Sequence, residues 1–363
     1  MSRMSAKSLP SVVAATAAVL TLLGAILDGR GFMAVWLVAA VTGLALPLGA
    51  MAVLMTHNLT GGRWGEPVRA PLKATIATLP VMLALFVPLL FNADLVFAWV
   101  APATPLPEVV EAKRFYLNAP FLYLRFGLYA VIWLTLAVRL NVWRTEISRP
   151  ASASAGGLVL WGITLTFFSF DWLMSLEPTW YSDIVGLIFM GSVLSMAPAL
   201  MLLLPRVYIH GDREPLLEGA RRDLAHLWLC AILFWAFVAF SQYLIIWSGD
   251  LPHEIRWYVH RSAGVWAAMA VVMMLLCAVL PFVALLPAAP KRRGWLLAGL
   301  AATVLLGHCV EFGWLILPAY PPAPAALSWR APVALVAVFA VQWMLIDVHR
   351  ARARRPAAER FHD

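Results

Sequence analysis

Ten apolar stretches, each close to the length needed to cross a bilayer, fix the class of this chain before any single residue is considered. They run over 10–27, 33–55, 75–98, 119–140, 158–176, 182–204, 224–247, 262–286, 294–317 and 331–348. A hydrocarbon core of ~30 Å is crossed by about 20 helical residues. The expectation is an all-α integral membrane protein with ten transmembrane helices in one polytopic domain spanning all 363 residues. Composition agrees: 13% of residues are charged and mean hydropathy is +0.81, against roughly 25% charged in soluble domains. Arg3 and Lys7 give the first stretch the basic start of a signal peptide, but no small-x-small cleavage site follows Leu27, so it is read as a span.

The basic residues set the orientation. With the N-terminus inside, twenty Lys and Arg fall on the cytoplasmic side, and six fall outside: Arg30, Lys113, Arg114, Arg256, Arg261 and Arg330. Arg125 lies within a span. The asymmetry predicts a multi-pass protein with cytoplasmic N- and C-termini. The net charge of +8 then reports topology and attraction to anionic lipid, and nucleic acid is not an expected partner.

Cys230, Cys277 and Cys309 stand singly in three spans, and no C-x-x-C-H or cysteine run is present. Of the eight histidines only His308 lies deep in a span; His57, His226 and His349 sit at helix ends. A haem held by two histidines needs a partner at matching depth. No metal or cofactor is therefore expected to be bound by this chain, and no residue is assigned a catalytic role. The Ser/Ala/Gly-rich segment Asn141–Gly157 reads as a linker, and Pro205–Asp223 and the tail after Asp347 read as charged anchors. Pro47, Pro80, Pro88, Pro198 and Pro281 predict kinks within spans.

Ionisable groups inside a span are costly and are kept where they pair or face a cavity or pathway. At about 1.5 Å per residue, Asp171 lies roughly 20 Å from the inner face, His308 about 21 Å, Glu311 about 25 Å and Ser241 and Gln242 about 26 Å. Polar groups from three helices thus gather at one level of the predicted outer leaflet. Asp171 and Ser175 share a helix face, as do His308 and Glu311. Asp171 also reads as half of a structural ion pair, with Arg125 as its candidate partner and Asp94 competing. His308 reads equally as a packing residue, and Glu177, Asp250 and Glu254 as loop charge. The functional reading is a proton path through Asp171, Glu177, His308 and Glu311, because proton transfer needs a chain of titratable groups.

Two long motifs, FSFDWLMSLEPTWYS at 168–182 and FSQYLIIWSGDLPHEIRWY at 240–258, resemble the ActF-type membrane subunit of bacterial alternative complex III. That family belongs to the NrfD/polysulfide-reductase-like superfamily. The resemblance implies two four-helix bundles, spans 2–5 (33–180) and 6–9 (181–330). Peripheral helices would lie at 1–32 and, with a basic tail, 331–363. It implies an inner-membrane subunit of a respiratory quinol:electron-acceptor (cytochrome c type) oxidoreductase, with quinol as candidate substrate. The expected partners are an ActC-like twin membrane subunit, a periplasmic iron–sulfur subunit, c-type cytochrome subunits and a terminal oxidase; these carry the iron–sulfur clusters and c-type haems. Ser241, Gln242, Tyr243, Asp250, Glu254 and Arg261 are the implied quinol-site candidates. Quinol binding and a role as scaffold and proton path both stay open, and a ten-helix secondary transporter is the competing reading.

Overall fold

The computed structural model describes residues 29–102, 104–144, 149–204, 214–287, 291, 293–320 and 329–354. The expected first span, 10–27, lies outside these residues, as do segments 205–213 and 321–328 and the tail beyond Arg354. Among the described residues nine helical segments are long and apolar enough to cross a membrane. The protein is all-helical and multi-pass.

Helix α1, Gly29–Thr60, has no polar stripe, and its apolar stretch is buried along its whole length. A helix that is apolar all round belongs in the interior. Here α1 is the post against which the others pack. Next come α2 (Glu66–Ile76), α3 (Leu79–Ala84), α4 (Val87–Phe91) and α5 (Ala93–Val96), four pieces of one interrupted rod. The interruptions follow the sequence: Pro80 and Pro88 occupy the first turns of α3 and α4, where a missing N–H breaks no helical bond. The backbone freed at the breaks is re-satisfied by side chains. Trp36 Nε1 donates to Leu85 O at 2.8 Å, and Thr78 Oγ1 donates to Thr75 O at 2.7 Å.

A short α6 (Glu108–Glu111) leads to α7 (Ala119–Arg139), whose start is capped by Asn118 accepting from Phe121 N. Helix α8, Ala151–Trp172, runs into a 3-10 turn at Met174–Leu176. It starts seven residues before the expected span, inside the segment read as a linker. Alanine is a strong helix former, and Ser154 is fully buried, accepting from Asn58 Nδ2 at 2.9 Å. The remaining helices are α9 (Val185–Leu203), α10 (Glu214–Gly249), α11 (Pro252–Arg261), α12 (Gly264–Met274), α13 (Leu280–Leu285), α14 (Gly294–Ile316) and α15 (Arg330–Arg354). A π turn at Leu275–Val279 joins α12 to α13 just before Pro281. Proline removes the N–H that would bond back to residue 277 and crowds its carbonyl, and the helix widens to accommodate it.

Packing runs around two closed circuits. In the first, α1 meets α2 and α3, α3 meets α7, α7 meets α8, and α8 returns to α1. In the second, α9 meets α10, α10 meets α13, the π turn meets α14, and α14 returns to α9. The circuits share the seam between α1 and α9. There Gly49 brings the helices into backbone contact: a Cβ on it would stand 2.3 Å from Val193 O. Small residues at such a crossing replace side-chain volume with close backbone packing.

Candidate functional site

Each circuit buries one carboxylate. In the first, Asp171 near the end of α8 is sealed from solvent. Arg125 of α7 grips it with a fork, Nε to Oδ2 at 3.0 Å and Nη2 to Oδ1 at 2.8 Å. Tyr129 donates to Oδ2 at 2.8 Å, and Arg125 Nη1 donates to Tyr116 O at 2.9 Å. The guanidinium lies over the Tyr116 ring at 3.8 Å, a cation–π contact that strengthens on desolvation. Phe86, Phe126, Phe168 and Trp172 close one side with edge and stacked contacts. Both carboxylate oxygens are engaged and the charge is neutralised. Ser175 Oγ donates to Asp171 O rather than to its side chain. Asp94 is exposed and does not compete.

In the second circuit, Glu311 of α14 is 1% exposed. Its Oε1 accepts from Trp235 Nε1 of α10 at 2.7 Å and Ser192 Oγ of α9 at 3.0 Å. Its Oε2 lies 2.6 Å from His308 Nδ1, one helical turn away. No arginine reaches it among the described residues. His308 Nε2 is buried without a hydrogen-bond partner among the described residues.

Glu311 also lines a cavity of about 590 Å³ between α9, α10, α11, α12 and α14, and Asp171 does not. The walls are overwhelmingly apolar, with Trp180, Trp235, Trp257 and Trp314 presenting flat aromatic surface. Phe240, Tyr243, Trp247 and Val259 line the cavity while being 47–61% exposed at the molecular surface. In a membrane chain such a lateral opening faces lipid. Polar groups on the wall are few. Gln242 accepts from Ser182 Oγ at 2.5 Å, and its amide N–H groups have no partner among the described residues. Tyr258 contributes a second polar group, and burial raises its phenol pKa above the usual value.

Helix α11 closes the predicted outer end of the cavity. It is bracketed by two left-handed residues, Asp250 (φ 46°) and Gly264 (φ 58°), which turn the chain sharply off α10 and into α12. Trp257 stacks on Trp180 at 4.5 Å and 14°. Arg261, 1% exposed, pairs with Glu177 Oε1 at 2.5 Å and donates to Trp314 O and Leu315 O, both at 3.2 Å. Burial lowers the Arg261 pKa, and the facing Glu177 carboxylate opposes that shift.

The residues singled out from the sequence therefore divide. Glu311, Gln242, Tyr243 and Arg261 share the cavity wall, and His308 stands behind Glu311. Glu177 reaches the wall through Arg261. Ser241, one residue from Gln242, turns to a different helix face and does not line the cavity. Asp250 is exposed and acts as a backbone turn, and Glu254 hydrogen-bonds Tyr181, raising that phenol's pKa. Equal depth along helices thus did not place Asp171 and Glu311 in one pocket, because depth leaves the rotation and lateral position of each helix open. Ser192, Trp235, Trp257, Tyr258 and Trp314 were not singled out. Their one visible signal was the density of tryptophans, which reads as readily as an interfacial belt. His57, expected at a helix end, is fully buried there against Arg69, with Nη1 and Nδ1 3.4 Å apart.

No protein-family model matches the chain, and no curated protein matches it significantly. What stands on the fold and geometry together is a multi-pass, all-helical membrane protein with one carboxylate locked in an ion pair and a second lining an apolar cavity.

Proposed function

We propose that this chain is the ActF-type membrane subunit of a quinol-oxidising respiratory complex, and that it binds the quinol ring in the cavity of the second circuit. The observation that carries the reading is Glu311: a carboxylate without an arginine partner, on the wall of an aromatic cavity that opens sideways to lipid. A quinol reaches its site through the bilayer, and its ring packs against the aromatic wall of the cavity. Its hydroxyl needs an acceptor, and carboxylate Oε1 or Oε2 supplies one at the cost of exchanging a donor it already has. The Gln242 amide offers a donor to the other ring oxygen. Oxidising one quinol to quinone releases two electrons and two protons. The electrons would pass to iron–sulfur clusters and c-type haems held by the partner subunits; the Glu311–His308 pair takes up one hydroxyl proton, and the second is released to water at the predicted outer end of the cavity. Asp171 with Arg125 serves the scaffold in this reading. The apolar lining and lateral opening favour a lipid-soluble ligand over the polar solute of a secondary transporter.

The test is quinol-dependent electron transfer by the complex purified in mild detergent. Glu311→Gln, which keeps the shape and the Trp235 contact but removes the proton acceptor, is expected to lower turnover about ten- to hundredfold. That is the scale of general-base loss, and normal assembly should accompany it. Unchanged turnover, or a chain that purifies without haem and iron–sulfur partners and moves a solute in liposomes, contradicts the proposal.

A further inference from the structure

Gln242 is 5% exposed and lines the cavity two helical turns, about 10 Å, beyond Trp235 on the same face of α10. Its amide nitrogen bonds to no described residue and is not sealed off by packing, so it faces the open space of the cavity. The carbonyl oxygen of the same side chain is tied back by Ser182, itself 7% exposed. Ser182 lies in the turn ahead of α9 and is fixed there by three contacts. Its backbone N–H donates to Met174 Sδ at 3.4 Å, and its Oγ accepts from Ile184 N at 3.3 Å. Its hydroxyl proton goes to Gln242 Oε1 at 2.5 Å. Turning the amide over would set an N–H against that hydroxyl, whose proton would then have no acceptor among the described residues. A buried polar group left unsatisfied costs more than a typical hydrogen bond returns. The orientation is thus dictated: carbonyl to Ser182, amide N–H to the cavity.

We propose that Ser182 is a positioning residue of this site: by holding the Gln242 carbonyl it makes that end of the cavity a hydrogen-bond donor only, matched to a ring with oxygens at opposite ends. The assignment rests on the quinol reading of the cavity. Glu311 is the acceptor at the other end, where Trp235 holds it. A six-membered ring with an oxygen at either end, extended by a hydrogen bond of about 2.8 Å at each, spans on the order of 10 Å. That is the rise along α10 between Trp235 and Gln242. A ring with adjacent oxygens reaches one end alone. The donor-only end also tells the two redox forms apart. A quinone oxygen can only accept, so it needs the amide N–H, whereas a quinol hydroxyl can accept from the amide or donate to a carbonyl. Freed of Ser182, the Gln242 amide can turn over; a quinol follows it and a quinone does not.

The experiment is steady-state quinol oxidation by the complex purified in mild detergent, with a short-tailed para-benzoquinol as substrate and its quinone as product inhibitor. Ser182→Ala is expected to raise the inhibition constant of the quinone about five- to tenfold, the scale of one neutral hydrogen bond, and to leave KM for the quinol within about twofold. Ser182→Thr, which keeps the hydroxyl, is expected to restore the wild-type constant. Gln242→Leu removes the donor itself and is expected to raise the same constant. Adding Ser182→Ala to Gln242→Leu should change nothing further, since a residue that acts through another is not additive with it. Equal shifts for quinone and quinol in Ser182→Ala, or a full additional loss in the double variant, reduce Ser182 to packing and overturn the proposal. So does an unchanged quinone constant. Lowered turnover in Glu311→Gln with no response to Ser182→Ala removes the positioning role and leaves the quinol site, whereas unchanged turnover in Glu311→Gln removes both.

Discussion

The two buried carboxylates sit in matching settings, yet they are built for different ends. Asp171 is clamped by a bidentate arginine, a tyrosine hydroxyl and a closed aromatic wall. Glu311 is held by three donors, Trp235, Ser192 and His308, and lines a cavity. The first arrangement neutralises a charge by a fixed counter-charge, so a proton has no reason to move. The second leaves the charge state of the site to a histidine and to whatever enters the cavity. A buried acid is thus not by itself a mark of chemistry. What separates the two is the partner: a fixed arginine charge faces Asp171, and a histidine, a tryptophan and a serine face Glu311.

The largest effect is expected from breaking the clamp on one side only. Asp171→Ala strands the Arg125 charge in the interior and should cost about 3–5 kcal/mol, read as lost thermal stability in detergent. Replacing both partners, Arg125→Leu with Asp171→Leu, removes charge and counter-charge together and should recover most of that loss, since apolar substitutes for a buried pair are often close to neutral. If the double variant binds quinol analogues as the wild type does, the first circuit is scaffold alone. A next, smaller effect is expected at the cavity: Glu311→Gln should leave melting nearly unchanged but weaken a quinol analogue by about 1.5–3 kcal/mol, the worth of a hydrogen bond to a charged group. Glu177→Gln should do least, about 1 kcal/mol or less in stability, because Glu177 is partly exposed and backbone carbonyls still hold Arg261.

Much of this fold was legible because membrane spans announce themselves by length. Nine of the ten expected spans coincide with the nine found among the described residues, to within a few residues at most ends, and the tenth, 10–27, lies outside them. The exceptions have local causes: α2 begins nine residues early at Glu66, and α8 begins within a Ser/Ala/Gly stretch that packs as helix. The pairing of Asp171 with Arg125 was visible as one reading among two, since an arginine inside a span asks for a carboxylate. The cavity was not visible. It depends on which face each helix turns inward, and these helices are so uniformly apolar that their sequences carry almost no facial signal. Gln242 and Ser241 illustrate this: adjacent in the chain and alike in polarity, only Gln242 lines the cavity. The role of α11 was also hidden, because a ten-residue interfacial helix bracketed by Asp250 and Gly264 reads as an ordinary charged loop.

The most direct test of the account is to map where a photoreactive quinone analogue attaches in the assembled complex. Label is expected on residues of α10, α11 and α14 around Gln242, Tyr258 and Glu311, diminished by Glu311→Gln and unaffected by the Arg125→Leu/Asp171→Leu pair. Label confined to a partner subunit, or on α7 and α8 beside Asp171, would contradict it.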